Sequence, residues 1–290
     1  MENIFEKGCL VQLSISAWKA TRKINPNFLQ GIEASREWLS ATKKLIDPES
    51  LKPIIKAGNA ARLYLRSISL PFPIHGMVFV PKDMIPTVDA SLQELKADFD
   101  ATVDDFVADY SWLREKAQSH LGELFNELDY PVDVREKFSF IWRFVVLDVP
   151  NGRAGVLSPE VYEREKEKFV NTMEEARLLA IKSLREEFAS MVSRICDRFS
   201  ASPDGKPKVF KNTTVNSFYD YFETFKQRNI FNDDSLAELV SRAQDILAGA
   251  SPDSIRTDDG LRESIRQDMS EVEKGLQDVM TMPRRKIIMD

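Results

Sequence analysis

The clearest pattern in the chain is a stripe of apolar residues that recurs every three or four positions from Val88 to Leu124. Ten steps of this stripe cover 36 residues, or 3.6 residues per step, which is the repeat of an amphipathic α-helix. The pattern therefore predicts a long helix over residues 84–125.

A second long helix is predicted over residues 158–199. Ser158 is a favourable N-cap residue, and Pro159 suits the first helical position. The apolar stripe occupies the later part, from Phe169 to Phe199, whereas the segment from Glu163 to Lys168 is charged on every side. We therefore expect the start of this helix to be solvated.

Extended segments are few and far apart in the sequence. Residues 8–17 alternate between apolar and polar positions, as in a half-buried strand. Two further runs, 74–80 and 140–149, are rich in β-branched and aromatic residues and are bounded by prolines. These runs predict one small sheet.

Together these patterns predict a mainly α-helical protein with a small β-sheet, of the α+β class, in which the two long helices pair antiparallel as a projecting arm. The segment 200–210 is rich in turn-forming residues and reads as a linker. It divides the chain into a first domain, 1–199, and a C-terminal helical region, 211–290. The last eight residues, from Pro283, form a basic and apolar tail.

The composition is that of a globular protein and not of a membrane-spanning one. The 290 residues are 43% hydrophobic and 30% charged, which is ordinary for a globular protein. No stretch approaches the length of uninterrupted apolar sequence that spans a membrane, and the N-terminus lacks a basic signal-peptide region. We expect a cytoplasmic protein without membrane association, in which the two cysteines are reduced.

The residues that usually carry chemistry are scattered. The sequence has no glycine-rich phosphate loop and no G-x-S-x-G nucleophile motif. His75, His120, Cys9 and Cys196 occur singly, without the spacing of zinc ligands. We therefore expect no catalytic site, no cofactor and no metal, although a hydrolase whose site forms only in three dimensions stays open.

Charge is distributed unevenly along the chain. Residues 18–66 contain ten bases and four acids, a net charge of +6, whereas residues 82–110 contain two bases and eight acids, a net charge of −6. The basic segment indicates a nucleic-acid surface, or else it packs beside the acidic helix of the same molecule. The candidate nucleic-acid contacts are Lys19, Arg22, Lys23, Lys43 and Lys44.

The opening strand from Gly8 to Trp18, the bases from Lys19 to Lys23 and the strand end Phe79-Val80-Pro81 resemble an uncharacterised family of phage- and plasmid-borne proteins. Members of that family tend to be encoded near MoxR-type AAA+ ATPases and von Willebrand factor A-type proteins. The resemblance covers mainly the first 150 residues and brings no catalytic residue. It implies a phage or bacterial cytoplasmic protein that works with an ATPase.

The leading hypothesis is therefore a non-enzymatic helical interaction or adaptor protein, with an AAA+ ATPase or a second copy of the chain as its partner. The alternative is a nucleic-acid-binding protein of phage DNA metabolism that uses the basic segment 18–66. For the leading hypothesis, charged residues can steer the encounter and an isoleucine can anchor it. The expected partner contacts are Asp104, Asp105, Glu163, Lys166, Arg284, Arg285, Lys286 and Ile287.

Overall fold

The computed structural model describes residues 4–24, 40–148, 157–200 and 211–281. The α-helices of these residues are α1 Lys52–Ile68, α2 Ile85–Leu121, α3 Pro159–Phe199, α4 Asn212–Arg228, α5 Asp234–Leu247, α6 Pro252–Thr257 and α7 Asp259–Thr281. The strands are β1 Gly8–Ser16, β2 Thr21–Lys23, β3 Thr42–Lys44, β4 Leu70–Pro71, β5 Met77–Pro81 and β6 Ser139–Val145. The predicted fold class, mainly helical with a small sheet, is confirmed.

The larger sheet has four strands in the order β4-β5-β1-β6. Strand β1 pairs antiparallel with β6, with Leu10 opposite Val145, and β4 pairs antiparallel with β5. The strand predicted at 74–80 begins later, at Met77, because Gly76 adopts a left-handed conformation with φ +79° and turns the chain. Strands β2 and β3 form a separate two-stranded sheet.

The chain folds into two compact units that alternate along the sequence. Unit 1 comprises Met1–Cys9, Ile68–Asp83 and Val146–Asp290, and unit 2 comprises Leu10–Ser67 and Met84–Val145. Helices on both sides of the predicted linker belong to unit 1, because α3 packs against α4 and α7. The division of the chain into 1–199 and 211–290 stays a prediction. Residues 201–210 of that linker lie outside the described residues.

The core of unit 1 forms along the apolar stripe of α3. The ring of Phe188 is fully buried, stacked on Tyr221 at 5.4 Å between ring centroids and edge-on to Phe218 at 6.3 Å. Buried residues of α3 begin only at Met173. The preceding turns from Pro159 contain no buried side chain, which confirms the predicted solvated start.

Two arginines join the helices of unit 1. Arg185 of α3 donates two hydrogen bonds to Asp233, at 2.6 and 2.9 Å, and a third to the carbonyl of Val279. Arg228 of α4 is buried and donates two bonds to Glu187 of α3, at 2.6 and 3.2 Å. Breaking a buried pair of this kind leaves an uncompensated charge, so these contacts fix the positions of α3, α4 and α5.

Unit 2 has its own core, between α1, α2 and the strands β1 and β6. Phe99 of α2 is buried against Phe140 of β6, with 5.6 Å between ring centroids. Gly58 of α1 lies so close to Ile15 of β1 that an added Cβ would be 3.2 Å from its methyl group. Helix α1 therefore packs closely on β1.

These two cores account for the apolar stripes of the two long helices. The long helices exist within about four residues of their predicted bounds, but α2 belongs to unit 2 and α3 to unit 1. The stripe of α2 is buried against β6 and its neighbours, and the stripe of α3 is buried against α4 and α7. Antiparallel pairing of α2 with α3 stays a prediction.

We predict that Phe188→Ala lowers the free energy of unfolding by about 3–5 kcal/mol, because a fully buried phenylalanine is lost and a cavity remains. Urea unfolding followed by circular dichroism measures this loss. Phe169→Ala removes a half-buried phenylalanine from the same helix and should cost clearly less. Equal losses for the two variants would contradict the placement of Phe188 in the core.

Candidate functional site

The five predicted basic residues lie together on the small second sheet and its approach. Strands β2 and β3 pair antiparallel, with Thr21 opposite Lys44, Arg22 opposite Lys43 and Lys23 opposite Thr42. The amide of Leu45 also donates to the carbonyl of Ala20 at 2.8 Å. Bases about twenty positions apart in the sequence thus become cross-strand neighbours. We call this pair of strands the basic ribbon.

Asp129 anchors one side of the basic ribbon. Its carboxylate lies 2.7 Å from the Lys43 ammonium and 3.7 Å from the Arg22 guanidinium. Lys43 also donates to the carbonyl of Leu124, and its side chain is only 10% exposed. Lys43 therefore holds the ribbon in place, and its charge is already compensated within the molecule.

The other three bases face solvent. Lys19, Lys23 and Lys44 are exposed, and no carboxylate of the described residues lies within ion-pair distance of them. Arg22 is also largely exposed, with 59% of its side chain accessible and a contact of 3.7 Å to Asp129. These four bases can therefore reach a partner, and the three lysines among them have no ion pair with a described residue.

A cleft of 430 Å³ opens beside the basic ribbon, entirely within unit 2. Ile46 and Leu51 form its buried floor, while the half-buried Trp18 and the 47% exposed Ile55 are also in its wall. Lys19 and Lys44 supply its charged groups, and none of the described residues that line it is acidic. The residues of this basic cleft are Ala17, Trp18, Lys19, Ala20, Thr21, Lys44, Ile46, Pro48, Leu51 and Ile55.

Ala20 redirects the chain from β1 into the basic ribbon. It is buried and adopts φ +46°, a left-handed conformation that an alanine rarely takes. Such conformations persist only where the surrounding structure enforces them, and they occur often at functional sites. Here the turn places Trp18 and Lys19 in the wall of the cleft.

Trp18 is supported from behind by Tyr110 of α2. The two rings meet edge to face, with 6.0 Å between their centroids. The Tyr110 hydroxyl donates to the carbonyl of Pro131 at 3.1 Å, and burial raises the pKa of Tyr110 to about 12. The tyrosine therefore stays protonated at neutral pH and keeps this hydrogen bond, which holds the cleft wall.

The basic segment packs beside the acidic helix α2 within unit 2, as the second interpretation expected. Trp18 of the segment meets Tyr110 of α2, and Asp47 lies 3.1 Å from the Lys116 ammonium. The acids of α2 pair elsewhere, since Asp104 pairs with Arg135 and Asp100 with Lys96. Asp105 is exposed and has no ion pair among the described residues. No described ion pair joins a base of residues 18–66 to an acid of residues 82–110, so the two segments lie side by side without direct ion pairs between those charges.

The expected partner contacts belong to both units. Asp104 and Asp105 belong to unit 2, whereas Glu163 and Lys166 belong to unit 1, at the solvated start of α3, where they lie 3.9 Å apart. Four further candidates, Arg284, Arg285, Lys286 and Ile287, lie outside the described residues.

Sequence reasoning missed the apolar half of the cleft. Ile46, Leu51 and Ile55 lie on both sides of Pro48, where the sequence Asp47-Pro48-Glu49 indicates a helix start. That start is confirmed, because Asp47 caps the turn that leads into α1. No periodic pattern linked these residues to Trp18, since they meet only when β2 pairs with β3.

The residue types that usually carry chemistry do not cluster in the described part of the chain. Among residues 4–24, 40–148, 157–200 and 211–281, no three histidine, cysteine or carboxylate side chains group as metal ligands would. Both cysteines are free thiols. Burial raises the pKa of Cys9, and burial together with the Glu273 carboxylate raises the pKa of Cys196 to about 11.

Residues 5–198 match the model of a family described as a protein of unknown function, DUF3150. The chain belongs to this family. The match covers all six described strands together with α1, α2 and nearly all of α3. No curated protein matches the chain, and no solved structure does.

None of the helices in the described part of the chain is long and apolar enough to cross a bilayer.

We predict slow thiol labelling of the folded protein at pH 8, because the raised pKa values keep both cysteines protonated and the thiolate is the reactive form. Ellman's reagent should react with the urea-unfolded chain much faster than with the folded chain. The variant Cys9→Ser isolates Cys196 for this measurement. Rapid labelling of folded Cys9→Ser at pH 8 would contradict the raised pKa of the partly buried Cys196.

Proposed function

We propose that the protein is a non-enzymatic binding protein, an adaptor that acts by holding another protein. The observation that carries this proposal is the basic cleft, in which an exposed apolar surface lies beside two lysines that have no partner among the described residues. Concave, mainly apolar sites with a few well-placed polar groups are typical of binding sites.

The cleft is preorganised in a way that favours binding. The anchor at Asp129, the bond from Leu45 to Ala20 and the ring of Tyr110 fix its walls before a partner arrives. A preformed surface loses less conformational entropy on association than a loose one. Because the site lies within unit 2, one copy of the chain supplies all of its described residues.

The proposed partner is an AAA+ ATPase, which the resemblance of the opening strand and bases to phage- and plasmid-borne proteins suggests. The other proposed partner is a second copy of this chain. The exposed charges at Asp105, Glu163 and Lys166 support either partner, since charged surface groups steer encounter. Bacterial or phage origin and a cytoplasmic location belong to the same proposal.

Nucleic-acid binding is the second candidate, and the exposed Lys19, Lys23 and Lys44 favour it. Two features rank it lower. Asp129 places a negative charge at the ribbon and pairs with Lys43 and Arg22. Three of the five predicted phosphate contacts therefore have no ion pair with a described residue. The floor of the cleft is apolar, whereas phosphate contacts need donors.

We predict that Ile55→Glu abolishes capture of the partner, because a charge in the cleft wall opposes burial of an apolar group there. Affinity capture from the source organism, followed by reconstitution with the purified partner and mass photometry, measures the loss. The matched control is Ile141→Glu, whose parent residue is 48% exposed compared with 47% for Ile55, and which lies outside the cleft. A complex that survives Ile55→Glu intact would refute the cleft as the binding site.

For nucleic acid, we predict no complex with duplex DNA tighter than about micromolar at about 150 mM salt, the level of non-specific binding. Fluorescence anisotropy across a salt series tests this. A sub-micromolar complex that is lost when Lys19, Arg22 and Lys23 are all changed to glutamate would reverse the order of the two candidates.

A further inference from the structure

We propose that the basic cleft binds an extended acidic segment of the partner protein, with one apolar side chain in the cleft and carboxylates on either side of it. This inference rests on the proposed function and names the chemistry that the same site recognises. The apolar side chain lies between Trp18 and Ile55, above Ile46 and Leu51. The flanking carboxylates pair with Lys19 and Lys44.

The shape of the cleft supports a short segment with one anchor. Its volume of 430 Å³ lies at the lower end of the range for ligand pockets, which suits a large side chain with its adjoining backbone. Ile46 and Leu51 are 3% and 5% exposed, so they form a packed floor that excludes a deeper ligand. Ile55 leaves about half of its surface uncovered, and an apolar anchor would cover it.

The charge of the cleft selects an acidic occupant. Lys19 and Lys44 are both exposed, and neither has an ion pair with a described residue. The nearest acids in sequence are already engaged, because Asp47 lies 3.1 Å from the Lys116 ammonium and Glu49 lies 2.6 Å from that of Lys52. An approaching carboxylate therefore meets two ammonium groups that have no ion pair with a described residue, and none of the described lining residues is a competing acid.

The same charges exclude the C-terminal tail of this chain as the occupant. Its Arg284, Arg285 and Lys286 have the same sign as Lys19 and Lys44, and like charges oppose association. An oligonucleotide would satisfy the lysines but not the apolar floor. An acidic peptide with an apolar anchor satisfies both.

The test is selection from a displayed library of short random peptides on the immobilised full-length protein. We expect the enriched peptides to carry aspartate or glutamate on both sides of a leucine, isoleucine or aromatic residue. In the double variant Lys19→Glu/Lys44→Glu, affinity for these peptides should fall by about tenfold or more, because attraction becomes repulsion at two sites. Lys137→Glu, an exposed lysine of unit 2 outside the cleft, should leave affinity unchanged.

A charge swap makes the test independent of folding defects. The same peptides with lysine in place of the acids should bind the double variant better than they bind the parent protein. Enriched peptides without acids, or acidic peptides that bind the double variant as well as the parent, would overturn the proposal. Retention of a single-stranded oligonucleotide in place of acidic peptides would also overturn it.

Failure here is distinguishable from failure of the adaptor proposal. If Ile55→Glu abolishes partner capture while Lys19→Glu/Lys44→Glu does not, the cleft binds a protein but acidity does not select it. If neither variant affects a complex that forms, the cleft is not the binding site.

Discussion

The contact on which the candidate site depends is the ion pair between Lys43 and Asp129. It holds β3 against the segment after α2, where Lys43 also reaches the carbonyl of Leu124 and the Tyr130 hydroxyl donates to Leu45 at 2.6 Å. With β3 fixed, the register with β2 sets Lys44 opposite Thr21 and brings Lys19 and Trp18 to the cleft. The Lys43 ammonium is thus engaged within the molecule, whereas Lys44, the next residue, stays exposed for binding.

The second constraint is that each unit buries its own long helix. In unit 1, Phe188 packs among aromatic residues of α4, and Arg185 and Arg228 fix the surrounding helices. In unit 2, Phe99 packs on β6 and Gly58 lets α1 approach β1. Most of β1 and α1 packs in the core of unit 2. This core holds the residues of the cleft wall and floor in place. This arrangement suits a protein that works by presenting a fixed surface.

The sequence predicted elements well where the pattern was local and apolar. The stripe from Val88 predicted α2, which ends at Leu121 because Gly122 adopts φ +50°. The stripes did not indicate what covers them, since a periodic pattern shows that a face is buried but not which element packs on it. The basic ribbon escaped prediction because Thr21–Lys23 and Thr42–Lys44 are short and polar. Their bases were identified as candidates, but the Asp129 anchor depends on contacts distant in sequence.

The most direct test of the account is methyl NMR of the full chain, labelled at isoleucine and leucine, during titration with an enriched acidic peptide. If the basic cleft is the binding site, the methyl signals of Ile46, Leu51 and Ile55 should shift together and saturate with one affinity. Signals of unit 1, such as those of Ile195 and Ile265, should stay in place. Shifts confined to unit 1, with the cleft methyl groups unchanged, would contradict the account.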